Sequence, residues 1–181
     1  MLDSTQTYFF GPAGLDVNHR TVYEAASGAR VIITGFDQKP VNIHLTSYMI
    51  VQGLWFGGSW DTVDGIDAFG HGEGVNPLFV LGGPLNDVIN CTFFGYGQTG
   101  NGGDYLFFQG NRSVRTGAGD LSHGIYLTAH DGTTNQEDNH AIVDNNIFIG
   151  QEIPNPSYGS VAGAPATYFM GLGIQVWHQH N

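Results

Sequence analysis

The chain has few cationic residues and no long apolar run, and each shortage excludes a class of protein. Five Lys and Arg residues stand against 16 Asp and Glu residues, which gives a formal net charge of −11. That charge repels phosphate backbones and anionic membrane surfaces. No apolar run approaches the roughly 18 residues that span a bilayer. We therefore predict neither a nucleic-acid partner nor membrane insertion.

Cysteine is also scarce, because Cys91 is the only one in the chain. A single cysteine cannot form an intrachain disulfide, and Cys91 stands within an apolar pattern. This placement favours a small buried hydrophobic residue over a nucleophile. The first six residues lack the basic start and apolar stretch of a signal peptide.

Glycine and short apolar alternations are plentiful, and they indicate an all-β protein of one domain. The 181 residues include 28 glycines and only 12% charged residues. Apolar runs such as Val31–Thr34 and Val41–Leu45 have strand length and end near glycine, asparagine or proline. Only Thr21–Ser27 suggests a short turn of helix.

One eight-residue pattern, Val-x-Gly/Asn-x-x-Phe-x-Gly, recurs at residues 51–58, 88–95 and 143–150. Its Gly or Asn marks a sharp bend, because these residues adopt left-handed backbone angles easily. The residues around the bend alternate between the two faces of a strand. We expect the following to point inward: Val51, Leu54, Phe56, Val88, Cys91, Phe93, Val143, Asn146 and Phe148.

A second pattern alternates with the first along the chain, at residues 64–71, 123–130 and 172–179. Two strand types joined by loops of variable length are typical of stacked rungs. A degenerate rung copy is expected at 103–109 or 110–117. An antiparallel sandwich would also give short strands, but it does not explain two patterns that recur in register.

These patterns predict a parallel β-helix over residues 28–181, with residues 1–27 as an N-terminal cap or lead-in. The segment 151–170 is rich in Pro, Gly, Ser and Ala, and we expect it to be an insertion at a corner. Since solenoid ends need a cap or a partner, the helix is expected to be incomplete at its C-terminal end. Either a longer chain or another subunit, as in a homo-oligomer, would cover that end.

The strings HGIYL, VINCTFFG, VDNNIFIG and GIQVW resemble rungs of the right-handed parallel β-helix proteins of the pectin-lyase-like superfamily. The resemblance covers roughly residues 28–181. It implies the right-handed coil and an extracellular, carbohydrate-related role. The superfamily includes polysaccharide lyases, glycoside hydrolases, tailspikes and adhesins, so the resemblance is more specific for fold than for activity.

Aligning the second pattern predicts one outward face on which sugars bind. If Ile66, Ile125 and Ile174 face the core, alternation brings the intervening residues to the outside. Aromatic rings there can stack on sugars, and polar groups can bind hydroxyls. The substrate-binding candidates, which include Tyr105 from the segment Tyr105–Gln109, are Phe69, His71, Tyr105, Tyr126, His130, Gln175 and Trp177.

Catalytic candidates lie on the same predicted face. Asp64 and Asp67 could divide into acid and nucleophile or base, or ligate Ca²⁺, the only cofactor that the pattern suggests. Arg115 with His123 is the best available pair for a β-elimination. The alternative is an ordinary acidic loop and a salt-bridged arginine. The local match of residues 61–72 to polygalacturonase-like motifs lacks the other motifs of those enzymes, and we interpret it as chance.

Other polar residues are expected to be structural. Asn90, Asn145 and Asn146 suit an amide ladder along the stack. A zinc site at His178 and His180 lacks Cys partners and helical spacing. The sequence therefore predicts a secreted protein that acts on or binds a polysaccharide, as a lyase or glycoside hydrolase. The alternative is a non-catalytic module such as a tailspike, adhesin or spacer.

Overall fold

The computed structural model describes residues 7–34, 42–57, 78–94, 97–101, 105–114, 124–128, 140–149, 153–154, 167–168 and 174–177. These residues form strands, turns and extended segments and contain no helix. The all-β prediction is confirmed for this part of the chain. It likewise contains no helix long and apolar enough to cross a membrane.

Most of the strands belong to three parallel sheets. The first sheet contains, in spatial order, β1 (Thr7–Phe10), β4 (Asn42–Leu45), β7 (Leu78–Val80), β10 (Gly97–Asn101), β13 (Ile125–Thr128) and β18 (Ile174–Trp177). The second sheet contains β2 (Thr21–Glu24), β5 (Met49–Gln52), β8 (Asp87–Ile89), β11 (Phe107–Gln109) and β14 (Ile142–Asp144). The third sheet contains β3 (Ile32–Ile33), β6 (Trp55–Phe56), β9 (Thr92–Phe94), β12 (Arg112–Val114) and β15 (Ile147–Ile149).

The chain visits the three sheets in turn and then returns to the first. From β1 to β15, each set of three consecutive strands, here called a repeat, adds one strand to every sheet, as β4, β5 and β6 do. Every strand pair within the three sheets is parallel, as in the pairs β5–β8 and β6–β9. The antiparallel-sandwich alternative is therefore wrong, and the arrangement is compatible with a parallel β-helix.

The recurring Val-x-Gly/Asn-x-x-Phe pattern lines up in these sheets as predicted. Val51 pairs with Val88 and Phe56 pairs with Phe93. The repeat that contains β11 and β12 then intervenes, with Phe108 beside Val88 and Ser113 beside Phe93. Its strands β11 and β12 lie in the two segments, 103–109 and 110–117, at which a degenerate copy was expected, and the repeat explains why the three copies of the pattern are unevenly spaced.

Phenylalanine rings from successive repeats form the centre of the core. Phe56 and Phe93 stack with ring centroids 5.2 Å apart, and Phe93 stacks on Phe108 at 5.9 Å. Phe79, from the first sheet, packs edge-on against Phe56 at 4.7 Å and against Phe93 at 4.9 Å. Stacked and edge-on contacts are the favoured arrangements of aromatic rings. The first sheet and the third sheet thus share one core.

The residues predicted to face inward do so. The predicted inward residues of the first two pattern copies are buried in one core cluster, and Val143 and Phe148 pack against it while partly exposed. Cys91 is among the buried residues, and burial raises the pKa of its thiol to about 12. Such a thiol is not a nucleophile at neutral pH, which confirms its interpretation as a small hydrophobic residue.

Left-handed bends join the second sheet to the third. Gly53, Asn90, Gly110 and Asn145 directly follow strands β5, β8, β11 and β14, and all have φ between 52° and 66°. These residue types adopt that conformation at low cost. A Cβ atom at Gly110 would overlap the side-chain oxygen of Asn90, so a larger residue there would have to displace that side chain. The predicted bend is confirmed at each copy of the pattern.

An asparagine ladder lies just inside these bends. The backbone N–H of Cys91 donates to Asn111 Oδ1, and the N–H of Asn111 donates to Asn146 Oδ1, both at 2.8 Å. The side-chain amides of Asn111 and Asn146 donate to the carbonyls of Val88 and Phe108. The prediction of a ladder is confirmed for Asn146, but Asn111 is its second member, whereas Asn90 and Asn145 form the bends themselves.

A second corner joins the first sheet to the second, and it too uses left-handed residues. Tyr48, Leu85 and Tyr105 have φ values of 58°, 55° and 62°. Next to them, Asn86 accepts a hydrogen bond from the N–H of Met49 at 3.1 Å. The Asn86 amide donates to the carbonyl oxygen of Thr46 in the neighbouring repeat and to that of Gly82 in its own turn. Buried amides therefore tie the repeats together at both corners.

The N-terminal segment differs from expectation in one respect. Thr21–Glu24, part of the segment expected to form a helical turn, is strand β2 and pairs in parallel with β5. Its alternation of partly buried and exposed residues fits a half-buried strand. Strands β1 and β2 both lie within the segment 1–27 that was expected to be a lead-in.

The expected corner insertion contains a small sheet of its own. Strand β16 (Ile153–Pro154) pairs antiparallel with β17 (Thr167–Tyr168). The other residues of 151–170 lie outside the described part of the chain.

The stacked rings give a first stability test. Phe93→Ala removes a fully buried ring that contacts Phe56, Phe79 and Phe108, and we expect it to lower the free energy of unfolding by about 3–5 kcal/mol. Phe9→Ala is the matched control, since Phe9 is 70% exposed, and it should change that free energy by no more than about 0.5 kcal/mol. Equal effects in urea titrations would contradict the fold.

The asparagine ladder gives a second test. Asn111→Ala leaves the N–H of Cys91 and the carbonyl of Val88 without their partners, and we expect a loss of about 1–3 kcal/mol in the free energy of unfolding. Gln109→Ala, which removes an exposed side-chain hydrogen bond to Asp144, should cost about 0.5 kcal/mol or less. The ladder would have no structural role if both variants unfolded at the same urea concentration.

Candidate functional site

The outer face of the first sheet presents an aromatic ring beside an imidazole at its N-terminal end. On β4, Ile43 and Leu45 are buried, so alternation places the partly exposed His44 on the outer face. His44 pairs with Phe9 on one side and Val80 on the other. The Phe9 and His44 rings meet edge to face with centroids 5.4 Å apart. Phe9 is thus a large, exposed ring that packs against the His44 imidazole.

The same row of positions continues across the whole sheet. Val80 pairs with Thr99, Thr99 with Tyr126, and Tyr126 with Gln175. We call these six register positions the outer row: Phe9, His44, Val80, Thr99, Tyr126 and Gln175. Because neighbouring strands are about 4.8 Å apart, the outer row is about 24 Å long.

The predicted register at the C-terminal end of this row is confirmed. Ile125 pairs with Ile174, Tyr126 with Gln175, and Thr128 with Trp177. Ile125 is fully buried in the core and Tyr126 is partly exposed, whereas Ile174, which was also expected to face the core, is 48% exposed. Gln175 and Trp177 therefore occupy the strand positions that the alignment assigned to them.

The first sheet is free of formal charge. Its six strands contain no Asp, Glu, Lys or Arg, although the chain as a whole carries a net charge of −11. The strands of the second sheet contain Glu24, Asp87 and Asp144, and those of the third sheet contain Arg112. The charges of the described strands are thus segregated away from the outer row.

Burial keeps the one imidazole of the outer row neutral. Desolvation lowers the pKa of His44 from its ordinary value of 6.5, because burial disfavours the charged form. A neutral imidazole carries one N–H donor and one nitrogen acceptor. At pH 7, His44 is therefore a polar group that can both donate and accept, without a charge.

Tyr105 lies elsewhere, so the expectation that Tyr105–Gln109 shares a sheet with Tyr126 is wrong. Strand β10 takes the place beside β13 in the first sheet, and the chain then turns at Tyr105 into β11 of the second sheet. Tyr105 is half exposed and stacks on His140 with ring centroids 4.4 Å apart. It forms a corner feature separate from the outer row.

Seven predicted site residues lie outside the described part of the chain. They include all four catalytic candidates and the proposed calcium ligands, and they are Asp64, Asp67, Phe69, His71, Arg115, His123 and His130. Within the described residues, no group of three or more His, Cys, Asp or Glu side chains could hold a metal ion. The roles of these seven residues stay predictions.

Phe9 and His44 are members of the outer row that the sequence reasoning missed. The run Asn42–Leu45 alternates polar and apolar residues, which was a usable signal that His44 faces away from the core. Phe9 falls within the segment interpreted as a lead-in, and nothing in the sequence alone showed that β1 continues the first sheet.

Comparison of the chain with protein-family models, with curated proteins and with solved structures gave no match.

The environment of His44 gives a testable pH dependence. Since its folded pKa is below 6.5, the unfolded chain binds a proton more readily, and the free energy of unfolding should fall as the pH drops below about 6.5. Above that pH this contribution is fully present. An NMR titration of the imidazole should give a midpoint below 6.5, and His44→Gln should flatten this part of the stability curve. A midpoint at or above 6.5 would show that His44 is not desolvated.

Proposed function

We propose that the three parallel sheets are the walls of a right-handed parallel β-helix and that the outer row binds a polysaccharide chain. One observation supports the binding proposal most strongly. A row of register positions about 24 Å long begins at the exposed Phe9 ring, passes His44 and Tyr126 and ends at Gln175 on an uncharged sheet. The right-handed coil and the extracellular location rest on the resemblance to pectin-lyase-like proteins.

The residue types of the outer row suit sugars better than other ligands. Aromatic rings pack against the apolar C–H faces of pyranose rings, and neutral donors and acceptors bind hydroxyl groups. Phe9 supplies an exposed ring, while His44 and Tyr126 each combine a ring with a polar atom. An elongated row of such groups fits a linear polymer rather than a compact metabolite.

Rigid placement of these groups favours affinity. His44 and Tyr126 lie on strands whose neighbouring residues, Ile43 and Ile125, are fixed in the core. A ligand that meets preorganised side chains loses less conformational entropy on binding. A parallel sheet therefore suits the recognition of an extended chain.

Cleavage of the bound chain is a further part of the proposal, and it rests on the resemblance and on the candidates outside the described residues. Asp64 and Asp67 would act as acid and base in a hydrolase, or hold Ca²⁺. Arg115 and His123 would serve a lyase. The non-catalytic alternative, a module that only binds, needs nothing beyond the outer row. Reducing-end and 235 nm assays on a polysaccharide panel distinguish these activities.

Binding by the outer row is tested by a matched pair of tyrosines. Tyr126→Ala should weaken polysaccharide binding by about 1–3 kcal/mol, because Tyr126 lies in the row. Tyr105→Ala removes the same side chain from the corner beside His140 and should leave the affinity unchanged. Affinity electrophoresis against a polysaccharide panel measures both variants.

Two results would contradict this proposal. One is the absence of retention of the unaltered protein by every polysaccharide tested. The other is a loss of binding in Tyr105→Ala but not in Tyr126→Ala, which would move the site to the corner. Phe9→Ala provides an independent check at the other end of the row and should weaken binding in the same direction as Tyr126→Ala.

A further inference from the structure

We propose that the polysaccharide bound by the outer row is a neutral, extended glycan whose successive sugars present alternating faces, and not a uronate or a sulfated polymer; of the activities proposed above, this leaves hydrolysis or binding without cleavage, because β-elimination needs a uronate. This inference rests on the binding function proposed above and names the substrate class of the same site.

The distribution of charge argues against an anionic ligand. The six strands of the first sheet contain no Lys or Arg. An anionic sugar taken out of water needs a cationic or hydrogen-bonding partner for each carboxylate or sulfate. The negative charge of the whole chain, −11, would also repel a polyanion over long distances.

The described arginines belong to other surfaces. Arg20 donates to Asp87 at 2.7 Å and to the carbonyls of Met49 and Leu85. The Arg30 guanidinium lies 3.7 Å from the centre of the Trp55 ring. Arg112 is on β12 of the third sheet. Each of them lies outside the first sheet, so the described part of the chain offers the outer row no arginine partner.

His44 does not supply a positive charge either. His44 lies on the outer face against the Phe9 ring, within the outer row. An anionic ligand there would need the protonated, cationic form of the His44 imidazole. Desolvation lowers its pKa, so the neutral form dominates at pH 7. That form suits a hydroxyl group, which both donates and accepts.

The order of residue types along the row supports an extended, alternating chain. By register, the row reads Phe9, His44, Val80, Thr99, Tyr126, Gln175. The less polar residue types Phe9, Val80 and Tyr126 alternate with the more polar types His44, Thr99 and Gln175, so each kind recurs every second strand, at intervals of about 9.6 Å. In an extended β-linked glycan, each sugar is turned over relative to its neighbour, so equivalent faces also recur at every second unit. The row and such a chain have the same two-unit period.

The test compares soluble oligosaccharides of equal length by calorimetry with the full chain. Neutral β-linked oligomers of glucose, mannose and xylose are measured beside oligogalacturonate, with and without added Ca²⁺. We expect at least one neutral oligomer to bind tenfold or more tightly than oligogalacturonate. Its affinity should change less than twofold between low and high salt, because no ion pair contributes.

A charge-insertion variant provides the converse measurement. His44→Arg places a guanidinium in the row and should raise the affinity for oligogalacturonate at least fivefold over that of the unaltered protein. Gln52→Arg is the matched control, since Gln52 lies on β5 of the second sheet and the same charge there should not change the preference for neutral sugars.

The outcomes separate the two proposals. Oligogalacturonate binding equal to or tighter than that of every neutral oligomer, with or without Ca²⁺, overturns the neutral-glycan inference and leaves the polysaccharide-binding function in place. Binding of no oligosaccharide and no polymer in the panel overturns the function itself. Because both outcomes are read from the unaltered protein, neither depends on whether a variant folds.

Discussion

Parallel hydrogen bonding in fixed register between successive repeats is the constraint on which the rest of the structure depends. Side chains alternate between the two faces of a strand, so a slip of one residue would move every inward group outward. The Phe56–Phe93–Phe108 stack prevents that slip, because these large rings fit only inside the core. Once the register is fixed from inside, the order of residues on the outer faces is fixed as well.

The corners hold this register from one repeat to the next. A bend in the left-handed region puts strain on any residue except glycine, and asparagine tolerates it best among the others. The same bends expose backbone groups that would be unsatisfied in the interior. Asn111 and Asn146 satisfy those groups by reaching across to the neighbouring repeat. A polar ladder inside an apolar core therefore stabilises one alignment of the repeats over the shifted alternatives.

The sequence predicted the second and third sheets better than the first, and the reason is physical. The second and third sheets meet at a tight bend, so a strand of one sheet, the bend and a strand of the other form one sequence pattern of fixed length. The sequence alone therefore aligns Val51, Val88 and Val143 without gaps. Strands of the first sheet follow loops of variable length. Strand β10, Gly97–Asn101, contains no apolar residue, so its place beside β13 depends on pairing rather than on local preference. For that reason Tyr126 and Gln175 could be matched by their shared motif, whereas Phe9 and His44 could not.

Three sheets built from the same repeats can carry three different surfaces, because the core restrains only the inward positions. The described strands of the second sheet carry carboxylates, which pair with glutamine side chains or with Arg20. The third sheet has an outer apolar cluster in which Phe94 and Val114 are buried beside Trp55. The strands of the first sheet contain no Asp, Glu, Lys or Arg. Its outer positions include Phe9, which is 70% exposed. Since the core does not restrain these outer positions, their residue types are free to serve the glycan binding that we propose for the outer row.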